Sequence, residues 1–217
     1  MSLEVTGITH RYGRRAPVLQ GVSLRVTPDA SVALVGPSGS GKTTLLSILG
    51  LLARPAEGDV LIDGRRVGGR EAGALRVRDF GWVFQGTNTL PQRSAIDNAA
   101  MGLLARGLGA NEARRRAGAM LEAMGIGPLA ERAARTLSGG ELQRVCIARA
   151  LASEPRFVLA DEPTGQLDSA TTEVVIEALI SNRPAGTSIV IATHDPLVAS
   201  RCDVVVRLRD GQVEADL

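Results

Sequence analysis

The chain has 217 residues, 44% hydrophobic and 22% charged, and its 25 basic and 23 acidic side chains leave a net charge of +2. That length and balance suit one domain, or two closely packed lobes, with an ordinary core, and they exclude a disordered tail. A charge so near neutral is a weak argument for nucleic acid, and no nucleic-acid partner is expected.

Met1 to His10 alternates apolar and polar residues like a strand, so it does not read as a secretory leader, and the chain is expected in the cytoplasm. Leu3 to Thr9 and Val22 to Val26 read as strands with one exposed face. Ser31 to Val35 is a short apolar strand that enters a Gly-rich turn, and a helix follows from Lys42 to about Leu49. The longest mostly apolar stretch, Leu45 to Ala53, is broken by Ser47 and Gly50 and is far short of the roughly 18 residues a transmembrane helix needs. Val60 to Ile62 is another strand, closed by an Asp63-Gly64 turn, and Phe80 to Phe84 is a further one before a loop over Gln85 to Arg93.

Ser94 to about Ala134 reads as helical. Ala113, Ala117, Met120, Leu121 and Met124 share one stripe there, and Arg114 to Arg116 belong to the solvated face. Strands resume at Phe157 to Ala160, Ser188 to Ala192 and Val204 to Leu208 with helices between, which predicts an α/β fold. The expected core is a mostly parallel sheet, with an antiparallel piece near the N-terminus and a helical insert in the middle. Cys146 and Cys202 have no framework or metal spacing and are expected as buried free thiols.

Gly36-Pro37-Ser38-Gly39-Ser40-Gly41-Lys42-Thr43 fits G-x-x-x-x-G-K-[ST], after an apolar strand and at the start of a helix. Glycines let successive backbone N–H groups turn onto phosphates, and the helix N-terminus adds partial positive charge. Lys42 should reach the β and γ phosphates of ATP, and the Thr43 hydroxyl should hold Mg²⁺. Lys42 is the only lysine in the chain. Arginine has replaced lysine everywhere else, but its planar fork is too wide for this cradle. Phe157 to Ala160 then delivers Asp161 and Glu162 at the carboxyl end of a strand, where ligands of open α/β sheets bind. Asp161 is the candidate Mg²⁺ ligand, and Glu162 the group that polarises an attacking water. The two segments together describe a P-loop ATP hydrolase.

Leu137-Ser138-Gly139-Gly140-Glu141-Leu142-Gln143-Arg144 resembles the signature motif of ABC-type ATPases, a second phosphate-binding helix start. The resemblance runs from Leu3 to Val213. It implies a head-to-tail dimer in which the signature of one copy closes on the ATP held by the other. It further implies that Tyr12, the only tyrosine, stacks on adenine and that Gln85 touches Mg²⁺ and a membrane partner. Asp168, in Gly165-Gln166-Leu167-Asp168, matches the loop that crosses the dimer interface, and His194 the histidine that contacts the γ-phosphate and orients water. The catalytic set is therefore Glu162, His194 and Lys42, and the metal set Thr43, Gln85 and Asp161. The nucleotide set is Tyr12, Gly36, Pro37, Ser38, Gly39, Ser40, Gly41, Lys42, Thr43, Thr44, Gln85, Ser138, Gly139, Gly140 and Asp168.

Ala160-Asp161-Glu162-Pro163-Thr164-Gly165, Gly50-Leu51-Leu52 and Trp82-Val83-Phe84-Gln85 are similar to the group that energises macrolide exporters, lipoprotein-releasing complexes, haem exporters and a cell-division regulator. Gln166 and Thr87-Asn88-Thr89-Leu90-Pro91 depart from that group's usual pattern, on loops facing the partner chain or permease. The resemblance implies one ABC ATPase domain over 1–217. About 1–85 and 155–217 form the ATP-binding core, and about 86–154 a helical subdomain. It also implies two integral membrane permease subunits, with the chain peripheral on the cytoplasmic face of the membrane. The expected work is export of a hydrophobic or toxic compound such as haem or a macrolide. The alternative is a regulatory mechanotransmission ATPase of the cell-division or lipoprotein-release type. A soluble ATPase acting on DNA or ribosomes would carry a coiled-coil insert or tandem cassettes, and neither is seen.

Overall fold

Alternating burial along the first strands, together with continuous burial along the later ones, produces two sheets of different character. The computed structural model describes residues 2–13 and 16–214. In chain order the first elements are β1 (Leu3–His10), β2 (Leu19–Val26), β3 (Ser31–Val35), α1 (Lys42–Leu49), β4 (Glu57–Ile62) and β5 (Arg65–Val67). β2, β1, β4 and β5 form an antiparallel sheet in that order, with Leu3 opposite both Val26 and Ile62. Leu3, Val5 and Ile8 bury one face of β1 while Thr6 and Gly7 stay exposed. The turn joining β4 to β5 puts Asp63 (φ 53°) and Gly64 (φ 75°) in the left-handed region, as a tight hairpin requires.

α2 (Ala72–Asp79), β6 (Phe80–Val83), α3 (Ala95–Ala105), α4 (Ala110–Ala123) and α5 (Gly139–Leu151) follow. The chain continues through β7 (Phe157–Asp161), α6 (Ser169–Ser181), β8 (Ser188–Thr193), α7 (Pro196–Ser200), β9 (Val204–Arg209) and β10 (Gln212–Val213). The second sheet runs β10-β9-β3-β8-β7-β6, parallel throughout except for β10 against β9. β3, β7 and β8 are covered on both faces, which is why they read as unbroken apolar runs.

Successive residues of these strands serve two cores. Phe157, Leu159, Val190 and Ala192 pack with α1 and the antiparallel sheet, through Leu45, Ile48, Leu3 and Ile8. Val158, Ala160, Ile189 and Ile191 pack with α5, α6 and the helices before them, through Ile147, Ile176, Ala117 and Leu121.

The expected helical span after Ser94 divides. α3 ends at Ala105 with Arg106 as its C-cap, a Gly-Leu-Gly turn intervenes, and α4 resumes with Ala113, Ala117 and Leu121 fully buried, Met124 buried and Met120 half-buried. Beyond α4 only single 3₁₀ turns form, over Gly127–Leu129 and Ala134–Thr136, where Gly125, Gly127 and Pro128 disfavour a continuous helix. Arg114 pairs with Asp97 and with Glu131 (2.7 Å), while Arg115 and Arg116 both bind Glu112 and hold its carboxyl down at about 2. Such exposed pairs contribute little to stability. α2 and β5 were not anticipated, because only Asp79 of α2 is buried and β5 is an exposed edge. Cys146 is buried and Cys202 is half-buried rather than buried, and both are free. No helix among the described residues is long and apolar enough to cross a membrane.

α3 starts on Ser94, whose hydroxyl accepts from the Asp97 amide at 3.2 Å. Ser94→Ala is expected to cost about 1 kcal/mol and to lower Tm by about 2–4 °C in a thermal melt, without altering ATP turnover.

Candidate nucleotide site

Four parallel strands end on one edge of the central sheet, and each delivers part of the site. β3 leads into the 36–43 loop, β6 into Gln85, β7 into Asp161 and Glu162, and β8 into His194. An open cleft of about 600 Å³ lies there. Pro37, Ser38, Gly39, Gly41, Lys42, Thr43, Thr44, Gln85, Glu162 and His194 line it, together with Val18, which carried no signal in the sequence. A larger hollow of about 760 Å³ lies at the other end of α1, among Leu51, Arg54, Asp59, Arg66 and Arg76, and contains none of these groups.

The loop curls because Gly36 cannot be replaced. A Cβ there would lie 2.1 Å from the Leu208 carbonyl of β9, so that strand presses directly on the cradle. Lys42 is only 7% exposed, and its ammonium donates to the carbonyls of Gly36 (2.7 Å) and Pro37 (3.1 Å). The Ser40 hydroxyl is buried and has no protein partner, which fits a cradle that takes an oxygen-rich group.

Thr43 donates from its hydroxyl to Asp161 Oδ1 at 3.1 Å. These are hard oxygen donors of the kind Mg²⁺ prefers. Burial pushes the Asp161 carboxyl above its ordinary 3.8, with Glu162 adding to the rise while the Thr43 hydroxyl and Lys42 oppose it. The folded state therefore holds this proton more tightly than the unfolded chain, so Asp161 removes stability as pH rises from about 4. Asp161→Asn should raise the Tm of the nucleotide-free protein at pH 7 and leave it unchanged near pH 3. Equal shifts at both pH values in a melting series would contradict this origin.

Glu162 leaves β7 with φ 44°, left-handed backbone that a non-glycine residue rarely adopts, while its amide stays bonded to the Ala192 carbonyl at 2.9 Å. The turn aims its largely buried carboxylate at His194, whose Nδ1 lies 2.9 Å from Glu162 Oε1. A residue pair separated by 32 positions thus meets at the cleft mouth. Tyr12 sits at the cleft margin: its ring is 53% exposed, edge-on to His10 at 4.9 Å, and its hydroxyl is 3.2 Å from Thr44 Oγ1.

The remaining expected residues stand elsewhere. Ser138 caps α5 through a capping box, accepting from the Glu141 amide (3.3 Å) while the Glu141 carboxylate accepts from the Ser138 amide (2.7 Å). Asp168 caps α6 by accepting from the Thr171 amide (2.9 Å) and hydroxyl (2.8 Å), contacts that hold its carboxyl below the usual range. A Cβ on Gly140 would lie 2.4 Å from Thr171 Cγ2, so the starts of α5 and α6 are seated on each other. Ser138, Gly139, Gly140 and Asp168 do not line the cleft of their own chain.

The doubly covered parallel sheet and its phosphate cradle define a P-loop ATPase of the α/β class. The ABC transporter family description matches residues 19–165. The chain belongs to the ABC transporter family, as an ATP-hydrolysing cassette of it.

Its relatives fall in the macrolide-export and lipoprotein-release group. The macrolide export ATP-binding/permease protein MacB of Syntrophobacter fumaroxidans is 47% identical over 96% of this chain, which spans only 30% of that protein. The lipoprotein-releasing system ATP-binding protein LolD of Hyphomonas neptunium is 44% identical over 97% of this chain and 96% of its own length. The dimeric, post-hydrolysis ATP-binding cassette MJ0796, bound to ADP and Pi, superposes with a TM-score of 0.86 at 35% identity, over 98% of this chain and 97% of that one.

Proposed function

We propose that two copies of this chain close head-to-tail on two ATP molecules and drive a membrane permease. The observation that carries this reading is the division of the site. The 36–43 cradle, Glu162 and His194 meet in one cleft, whereas Ser138, Gly139, Gly140 and Asp168 form a separate block away from it. A second copy would bring that block to the cleft, and the dimeric relative supports such a pairing.

In the closed site Lys42 neutralises the β and γ phosphates, Thr44 and the backbone of Gly36 to Gly41 bind phosphate oxygens, and Tyr12 packs on adenine. Tyr12 reaches that role by giving up its hydroxyl contact with Thr44. Thr43, Asp161 and Gln85 would hold Mg²⁺, which when bound neutralises charge on the phosphate oxygens. Glu162 accepts a proton from water as its oxygen bonds to the γ-phosphorus and the bridging P–O bond breaks, and His194 orients that carboxylate and the γ-phosphate. Residues of about 1–85 and 155–217 act as the ATP-binding core, and about 86–154 as the helical subdomain that follows the permease. The permease, two integral membrane subunits in this reading, docks near Gln85 and the 86–101 stretch and holds the chain on the cytoplasmic face.

The cargo we favour is a hydrophobic or toxic compound, in keeping with the MacB relative. The lipoprotein-release or mechanotransmission reading is favoured by the LolD relative, whose whole length this chain nearly spans. The shared site is tested by measuring ATP turnover against protein concentration. Two-copy sites require the rate to rise as the square of concentration when dilute. A strictly proportional rate would contradict them.

A further inference from the structure

β1 carries Leu3, Val5 and Ile8 into the core and ends, just beyond Ile8, on the half-buried His10. His10 pairs with the buried Leu19 of β2, and its carbonyl accepts from the Val18 amide at 2.8 Å, which closes the connection between the two strands. That connection borders the cleft at two points. Val18 lines it, with its carbonyl so close to Gly41 that a Cβ on the glycine would lie 2.9 Å away. Tyr12 stands at its margin, in reach of Thr44.

The Tyr12 side chain is held in two ways. Its hydroxyl is 3.2 Å from Thr44 Oγ1, and its ring meets the His10 imidazole at 4.9 Å with the two planes 83° apart. Among the described residues this is the only ring contact that Tyr12 makes. A histidine that merely completes a core has its buried nitrogens bonded. His10 Nδ1 is buried and has no hydrogen-bond partner among the described residues, so no bond at that atom accounts for the residue.

We propose that His10 is a positioning residue for adenine: its imidazole holds the Tyr12 ring ready, with one face open, to stack on the base. The proposal rests on Tyr12 packing on adenine and names the residue that orients it. A T-shaped contact occupies at most one face of a ring, so the opposite face of Tyr12 stays free for a flat base. When the Tyr12 hydroxyl leaves Thr44, the contact with His10 is the one that persists, because it bears on the ring and not on its tip. The Tyr12 side chain is 53% exposed, so without that support it would have to be ordered on binding, which weakens affinity. Glu162 and His194 are delivered by β7 and β8 rather than by β1, so bond breaking does not draw on this hold.

Steady-state ATP turnover and calorimetric ATP titration test this in His10→Ala, His10→Phe, Tyr12→Ala and the double variant His10→Ala with Tyr12→Ala, each checked by circular dichroism for an intact fold. In His10→Ala the KM and the dissociation constant for ATP should rise about three- to tenfold, the range one aromatic contact supplies, with kcat within about twofold of wild type. His10→Gln keeps the bulk but not the ring and should show the same loss, which keeps the test available if the alanine variant does not fold. His10→Phe restores a ring beside Tyr12 and removes the orphaned nitrogen, so its ATP affinity should lie within about twofold of wild type. Once Tyr12 is replaced by alanine there is no ring to hold, and adding His10→Ala should change affinity by less than about twofold. An equal loss from His10→Ala in both backgrounds would make His10 a structural part of β1 and overturn the proposal. Wild-type affinity in His10→Ala, or a His10→Phe as weak as His10→Ala, would overturn it too. Full ATP affinity in Tyr12→Ala would overturn it together with the stacking role of Tyr12, so that failure is distinguishable from a failure of His10 alone.

Discussion

Glu162→Gln is expected to retain ATP binding while turnover falls by about 10²–10⁴-fold, the range a positioned general base contributes. Gln keeps the size of the side chain and can still hydrogen-bond water and the His194 ring, but it cannot take a proton. The backbone at Glu162 is left-handed and its amide is bonded to Ala192, so the turn that aims residue 162 does not depend on the carboxylate. With hydrolysis blocked, the closed pair has no route to open and should accumulate. A variant that hydrolyses ATP near the wild-type rate would remove Glu162 from its assigned role. His194→Ala probes the same contact from the other side and should also lower turnover.

Lys42→Ala is expected to weaken ATP binding by on the order of 10²-fold, which corresponds to one or two charge-assisted hydrogen bonds. The ammonium is nearly buried and is held by two carbonyls of the loop it would serve, so its loss removes charge and also the internal tie between Lys42 and Gly36. Lys42→Arg separates the two contributions. It keeps the charge but places a planar fork where Gly36 and Pro37 already crowd the stem, so affinity should fall nearly as far. Titration calorimetry with ATP measures both, and unchanged affinity in Lys42→Ala would contradict the cradle.

Much of this molecule is legible in its sequence because its elements obey simple periodicities. α1 begins and ends where the apolar run after the glycine loop says it should, at Lys42 and Leu49. β3, β7 and β8 are announced by unbroken apolar runs, since a parallel strand buried on both faces has no polar side to show. α2 was silent because it buries almost none of its side chains, and β5 because an exposed edge strand needs no apolar pattern. Pairings across long loops were silent for another reason. Glu162 with His194, Tyr12 with Thr44 and Gly140 with Thr171 depend on how elements are stacked, which local spacing does not encode.

The central claim is that the nucleotide site is completed by a second copy, and the mass of the Glu162→Gln protein in the presence of ATP and Mg²⁺ tests it most directly. Light scattering should give a species of about twice the 22.7 kDa chain mass with ATP and a single chain with ADP. A protein that binds ATP with full affinity yet remains at 22.7 kDa across accessible concentrations would contradict the account.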